Sequence, residues 1–458
     1  MNDLIFEPMH VVAERMRRRE VSSRELTEAA LGQVERWGER INPFVTLTAE
    51  LALEMARERD TELADGVDRG PMHGVPVVLK DLLETKGIRT TGGSQTLIDN
   101  VPEEDATVVR LMREAGAVFL GKTGMPEFAS EPTSINETFG AVHNPWNLEL
   151  DTSGSSSGTG AAVAAGMAWC GPGSDTGGSI RMPAAACGLV GLKPTYGRVS
   201  LRGVLPLSAS RDHIGPMART VEDAAILMNV LSWYDEADSY SRDMPVDDYR
   251  SRLEGGIAGL RVAAFVDDGQ DPVSADILEG FQNGLGTLEA AGAVIEPVDV
   301  ADLFLALNSG DIFVADMFSH HGHFLTEQPE NLSAEVRTTL EKGRDMTGGE
   351  VMNAIRALDA MLHQLERRLR GYDLIVSPTL GVHLPPAGVY YQPLLRFTSI
   401  WDHNGWPAIT VPSGLSAETG MPTGFQIIGK PWSEALLLRA ARVIEREHAL
   451  SFPPTGIR

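Results

Sequence analysis

Two serine-bearing glycine turns hold the residue types that could do chemistry in this chain: Gly154 to Gly160, GSSSGTG, and Asp175 to Arg181, DTGGSIR. A serine flanked by small residues can present its hydroxyl at a crowded turn, because glycine takes backbone angles that a Cβ disfavours. Two such turns bring two hydroxyls together, those of Ser155 and Ser179, 24 positions apart. A hydroxyl is a weak nucleophile until a neighbour takes its proton, and no Ser/His/Asp arrangement stands out in the sequence. By composition alone the first turn reads as a flexible linker. Its direct passage into the small apolar run Ala161 to Gly166 reads instead as a loop entering a buried helix.

Other candidates are weaker. Lys80 ends the apolar stretch VPVVLK, and a lysine at the end of a buried strand either reaches solvent or is partly neutralised. Gly116 to Thr123, GAVFLGKT, satisfies the phosphate-loop pattern. Its intervening Ala, Val, Phe and Leu describe a buried strand, Pro126 falls where the next helix would have to be established, and Lys122 is read as structural or site-lining. His320, His321 and His323, with Asp316 upstream, raise metal ligation but lack the i, i+4 pairing of a helical zinc motif. The expectation there is no metal and a variable helical lid, with Phe313, Met317 and Phe318 toward substrate. Tyr390, Tyr391, Phe397, Trp401 and Trp406 cluster in one short region, as core or as the wall of a cleft for an apolar group.

The elements that must position these residues alternate. Residues 8 to 60 carry helical periodicity with Ser22 or Ser23 as an N-cap. VPVVLKDLL reads as a strand and DATVVRLMREAGAVFLGKT as a helix followed by a strand, an α/β pattern. The chain of 458 residues, 43% hydrophobic and 22% charged, is expected to fold as one domain. Its parts are N-terminal helices (1–60), a core (61–235), a variable helical lid region (236–370), and closing strands and a helix (371–458). A net charge of −24 repels phosphate backbones and anionic membranes, which argues against nucleic-acid and membrane partners. Cys170 and Cys187 cannot build a disulfide framework, and MNDLIFEPMH lacks the features of a signal peptide, so a cytoplasmic protein is expected.

The two turns resemble the motifs of the amidase signature family, and so do GVPVVLKD (Gly74 to Asp81), GKTGMPEFA (Gly121 to Ala129), GLVGLKPTYGRVS (Gly188 to Ser200), DHIGPMARTVEDA (Asp212 to Ala224), WPAITVPSG and GFQIIGKPW. The resemblance implies an α/β fold, a large mixed β-sheet sandwiched between helical layers with a helical lid. It implies Ser179 as nucleophile, Ser155 as a relaying serine preceded by a cis peptide bond, and Lys80 as the ultimate base, which burial would keep neutral. The amides of Thr176, Gly177, Gly178 and Ser179 can converge on one point as an oxyanion hole, with Ser156 and Asp175 bracing the turns. Met125, Gly154, Arg181 and Trp401 are the expected substrate contacts. The activity expected is that of a stand-alone amidase, a monomer or homodimer without cofactor, forming an acyl-enzyme from a small-molecule amide, aryl amide, ester or carbamate (urethane). The alternatives are a partner-dependent glutaminase component of an amidotransferase, a non-catalytic binding protein on the same scaffold, and a metalloenzyme built on the histidine cluster. Thr152, Ser153, Ser157 and Thr159 depart from the commonest family pattern, and Met182 stands where the glutaminase component usually carries Gln. These departures weigh against that component.

Overall fold

A computed structural model describes residues 4–306 and 310–458, the side chains of 305 and 306 excepted. The strands run in chain order as β1 Phe44–Leu47, β2 Pro76–Lys80, β3 Val118–Thr123, β4 His143–Asn144, β5 Asn147–Asp151, β6 Cys170–Asp175 and β7 Val190–Lys193. They continue as β8 His213–Ala218, β9 Arg261–Ala264, β10 Val294–Pro297, β11 Leu374–Pro378, β12 Ala408–Leu415 and β13 Pro422–Gly429. Eleven of them make one sheet in the order β1-β3-β2-β6-β8-β7-β12-β13-β11-β9-β10, while β4 and β5 pair separately. β2 lies parallel to β3 and β6, and β9 parallel to β10 and β11; the other pairings in the sheet are antiparallel. This is the expected mixed sheet. β2, β3, β6 and β11 are buried along their whole length, as strands covered by helices on both faces must be.

The helix Ser157–Ala164 that follows the first serine turn is buried at every residue. Its small side chains are a packing requirement, since a Cβ on Gly158 would lie 2.4 Å from both the Gly124 nitrogen and the Pro43 carbonyl. A linker is therefore ruled out for this stretch. GAVFLGKT forms β3, so its amides are spent in the sheet. At the N-terminus, helices Met9–Arg17, Ser23–Ile41 and Ala49–Ala64 stand where periodicity placed them, and Ser22 caps the second in a reciprocal bond pattern with Glu25. Between them β1 adds an edge strand on β3 that helical periodicity concealed. Four residues are too few for a strand pattern to stand out from its helical flanks.

The lid region contains helices Gly310–His321, Ala334–Asp345 and Gly348–Leu369, packed on one another. Beneath it Phe265, Phe304, Phe397, Trp401 and Trp406 form a second hydrophobic cluster. No helix among the described residues is long and apolar enough to cross a membrane.

Candidate active site

Parallel pairing places the last residues of β2 and β6 at the same edge of the sheet, the edge at which α/β sheets build their sites. β2 delivers Lys80 there, fully buried, and β6 delivers Ser174 and Asp175 beside it. Lys80 Nζ donates to Ser155 Oγ at 2.7 Å, Ser174 Oγ at 2.7 Å and Ser156 Oγ at 3.0 Å. Burial pushes the Lys80 amine down to about 7, against the opposing pull of the Asp175 and Asp212 charges. Near neutral pH a substantial fraction is therefore the free amine, a base. The Gly154–Ser155 peptide bond is cis. Ser156 ties the two turns together: its amide donates to the Ser179 carbonyl at 3.2 Å and its hydroxyl to the Ser174 carbonyl at 3.2 Å. Ser179, 6% exposed, opens onto a cavity of about 490 Å³. No hydrogen bond joins its hydroxyl to Ser155 among the described residues; catalytic hydrogen bonds of this type tighten once substrate is seated.

Asp175 organises the second turn. Its carboxylate accepts from the amides of Gly178 at 2.5 Å, Ile180 at 3.1 Å and Arg181 at 3.3 Å. It also takes Arg181 Nε at 3.0 Å and Nη2 at 2.9 Å. Burial alone would raise the Asp175 carboxyl, but the charge and hydrogen bonds of Arg181 hold it well below the ordinary range. Two expectations change here. The Gly178 amide is turned to Asp175, so the amides left to face an oxyanion are those of Thr176, Gly177 and Ser179. Arg181 is not a substrate contact, because Asp402, Gln426 and the Thr398 carbonyl take its remaining donors and none of it is exposed. Gly178 sits at φ +132°, and a Cβ there would meet Thr398 Oγ1 at 2.2 Å.

Three further expected contacts do not line the cavity. Trp401 is fully buried, donates Nε1 to the Phe397 carbonyl at 3.0 Å, and packs on Phe265, Phe304 and Trp406. Met125 is core, with its carbonyl accepting from Asn136 at 2.8 Å, and Gly154 is packed against the backbone of Glu131 and Thr133. The walls include Pro132, Leu395 and Tyr390, with Phe304 and Phe313 from the lid region, and Glu131, Arg211 and Arg396 are the charged members. Burial, with Glu335 adding to it, pushes Glu131 up to about 7. Of the lid residues put forward, Phe313 reaches the cavity while Met317 is core and Phe318 packs against the core.

The histidines do not converge. His321 Nε2 donates to the Pro206 carbonyl at 2.6 Å while its ring stacks on Phe128, His320 faces Asp316 at 3.5 Å, and His323 packs tilted against Phe324. Lys122 is structural, buried and bound to the Leu83 carbonyl, Thr85 and Thr90. Sequence reasoning missed Ser174, Asp212 and Arg211. Ser174 immediately precedes the second turn, but only the pairing of β2 with β6 lays it against Lys80.

The comparisons with known proteins agree on the frame and correct the activity. A family model described as Amidase matches residues 25–438. The glutamyl-tRNA(Gln) amidotransferase A subunit of Carboxydothermus hydrogenoformans is 37% identical, with 95% of this chain and 96% of that protein covered. The protein of the same description from Moorella thermoacetica is 38% identical over 99% of this chain and 100% of its own length. A solved structure from a vestigial complex that bears on the origins of an s-triazine catabolic enzyme superposes with a TM-score of 0.90, at 28% identity, covering 97% of this chain and 100% of that one. The expectation of a stand-alone amidase, monomeric or homodimeric and acting on small molecules without a protein partner, is overturned by the near full-length match to these amidotransferase proteins. The aryl-amide, ester and carbamate reading goes with it. The departures that had weighed against an amidotransferase component sit in packing: Met182 is fully buried beside Leu394, Ser157 bonds the Ser153 carbonyl at 2.8 Å, and Thr159 meets Thr123 at 2.8 Å.

Proposed function

We propose the following function for this chain, which belongs to the amidase family and hydrolyses carbon–nitrogen bonds other than peptide bonds. It is the amide-cleaving component of an amidotransferase: it takes the acyl part of a carboxamide such as glutamine onto Ser179 and releases ammonia for a partner protein to use. The observation that carries this reading is Lys80 held by Ser155 at the mouth of the Ser179 turn, in a chain matched end to end by amidotransferase proteins.

The chemistry follows from the geometry. Neutral Lys80 takes the Ser155 proton as Ser155 Oγ takes that of Ser179, and Ser179 Oγ attacks the carboxamide carbon. The amides of Thr176, Gly177 and Ser179 meet the charge that develops on the oxygen. The proton returns along the same relay to the nitrogen, the carbon–nitrogen bond breaks, and ammonia leaves an ester on Ser179. Water, losing its proton through the relay, then attacks the ester and frees the carboxylate and Ser179. The setting of the reaction is the cytoplasm, and both cysteines are free and buried away from it.

The test is ammonia release from glutamine, measured for the chain alone and for the chain with whatever co-purifies from its source. Slow release by the isolated chain, raised by the co-purified partner and absent in Ser179→Ala, is the expected result. Full-rate cleavage of glutamine without any partner, or cleavage of anilides with glutamine left untouched, would remove the amidotransferase reading.

A further inference from the structure

We propose that the substrate carries a carboxylate as well as its amide, and that Arg211 binds it. The proposal rests on the reading that Ser179 cleaves a carboxamide, and it adds which carboxamides.

Arg211 is 5% exposed and lines the same cavity as Ser179. Its Nε donates to Ser208 Oγ at 3.1 Å and its Nη1 lies 3.3 and 3.4 Å from the ring nitrogens of His403, while Nη2 is buried without a partner. No carboxylate lies within ion-pair distance of it among the described residues. The acids around it are committed elsewhere: Asp212 to Thr176 Oγ1 and the amides of Leu207 and Ser208, Asp316 to the hydroxyls of Ser208 and Ser210, Asp402 to Arg181. His403 offers no counter-charge, since burial and the arginine itself keep its ring neutral. Of the other buried arginines, Arg181 has two carboxylates and Arg396 has Asp268, while Arg219, also without a carboxylate, lies away from the cavity and spends both Nη groups on backbone carbonyls.

A buried guanidinium left without an anion is costly, and the fork of a guanidinium matches a carboxylate in two parallel bonds. Arg211 is also held in register with the chemistry. The next residue, Asp212, accepts from Thr176 Oγ1 at 2.6 Å and so fixes the arginine to the turn that carries Ser179. From the lid, the Phe313 ring lies 6.0 Å from the guanidinium carbon and closes that end of the cavity. A short molecule spanning the site presents its amide to Ser179 and its carboxylate to Arg211. Glutamine has that form, as do other ω-amides of short acids; neutral anilides do not.

The test uses the full chain as Ser179→Ala and calorimetric titration with glutaramate and with pentanamide, which has a methyl in place of the carboxylate. Glutaramate is expected to bind roughly 30-fold or more tightly than pentanamide. Arg211→Gln in the same background is expected to erase that preference, and Arg211→Lys to keep part of it. Equal affinity for the two, no binding of glutaramate, or a preference that survives Arg211→Gln overturns the proposal. Turnover is read separately: wild type that binds glutaramate through Arg211 but hydrolyses no amide would sink the amide-cleaving reading and leave the carboxylate site standing.

Discussion

At the scale of single residues, the proposed chemistry rests on Lys80 and Ser179. A base acts in its deprotonated form, so with Lys80 pushed down to about 7 by burial, kcat/KM is expected to fall as pH drops and to reach half its plateau near pH 7. An acid limb centred at about pH 4 to 5, the ordinary carboxylate range, would instead place the base on a carboxylate. Ser179→Ala is expected to lower turnover by about 10⁴-fold or more, and Lys80→Arg, whose guanidinium stays protonated, to do nearly as much. Both are read as initial rates of ammonia release.

At the scale of elements, the turn from Asp175 to Arg181 is held by a buried charge cluster. Removing Arg181 leaves Asp175 and Asp402 buried without their cation, and Arg181→Met is expected to cost about 3–5 kcal/mol in urea unfolding. Gly178→Ala drives a Cβ into Thr398 Oγ1 and is expected to cut turnover about 10²-fold by shifting the neighbouring amides. A variant with wild-type rates would show that the turn tolerates the displacement. The lid is joined to the core by the bond of His321 to the Pro206 carbonyl, and burial holds this imidazole down to about 4. The unfolded chain therefore binds the proton more readily, and the stability His321 contributes is lost as pH falls from 6.5 toward 4. The gap in melting temperature between wild type and His321→Gln is expected to narrow over that range; a constant gap would mean the ring binds its proton equally well in the folded and unfolded states.

The whole molecule is built on a long mixed sheet whose parallel segment β3-β2-β6 ends at the site and which continues through antiparallel β8, β7, β12 and β13. Its net charge of −24 makes self-repulsion a term in folding. Raising sodium chloride from about 0.05 to 0.5 M is expected to raise the melting temperature by screening that repulsion. A fall would show that the surface ion pairs, such as Arg261–Glu296 and Arg442–Glu254, outweigh it.

The sequence by itself determined the family and the mixed α/β sheet, because the family's motifs are local and can be read without a fold, and the same resemblance put forward the trio Lys80, Ser155 and Ser179 on which the proposed chemistry rests. It also separated the decoys: GAVFLGKT is too apolar for a phosphate cradle and is β3. Only the tertiary structure decided which neighbours matter. Ser174 reaches Lys80 through the pairing of β2 with β6. Arg181 is withdrawn from substrate by Asp402, Thr398 and Gln426, more than 200 positions away in the chain. Arg211 is left unpaired because its local acids are spent elsewhere. Whether a buried charge has a partner is a property of long-range packing, and no local pattern encodes it.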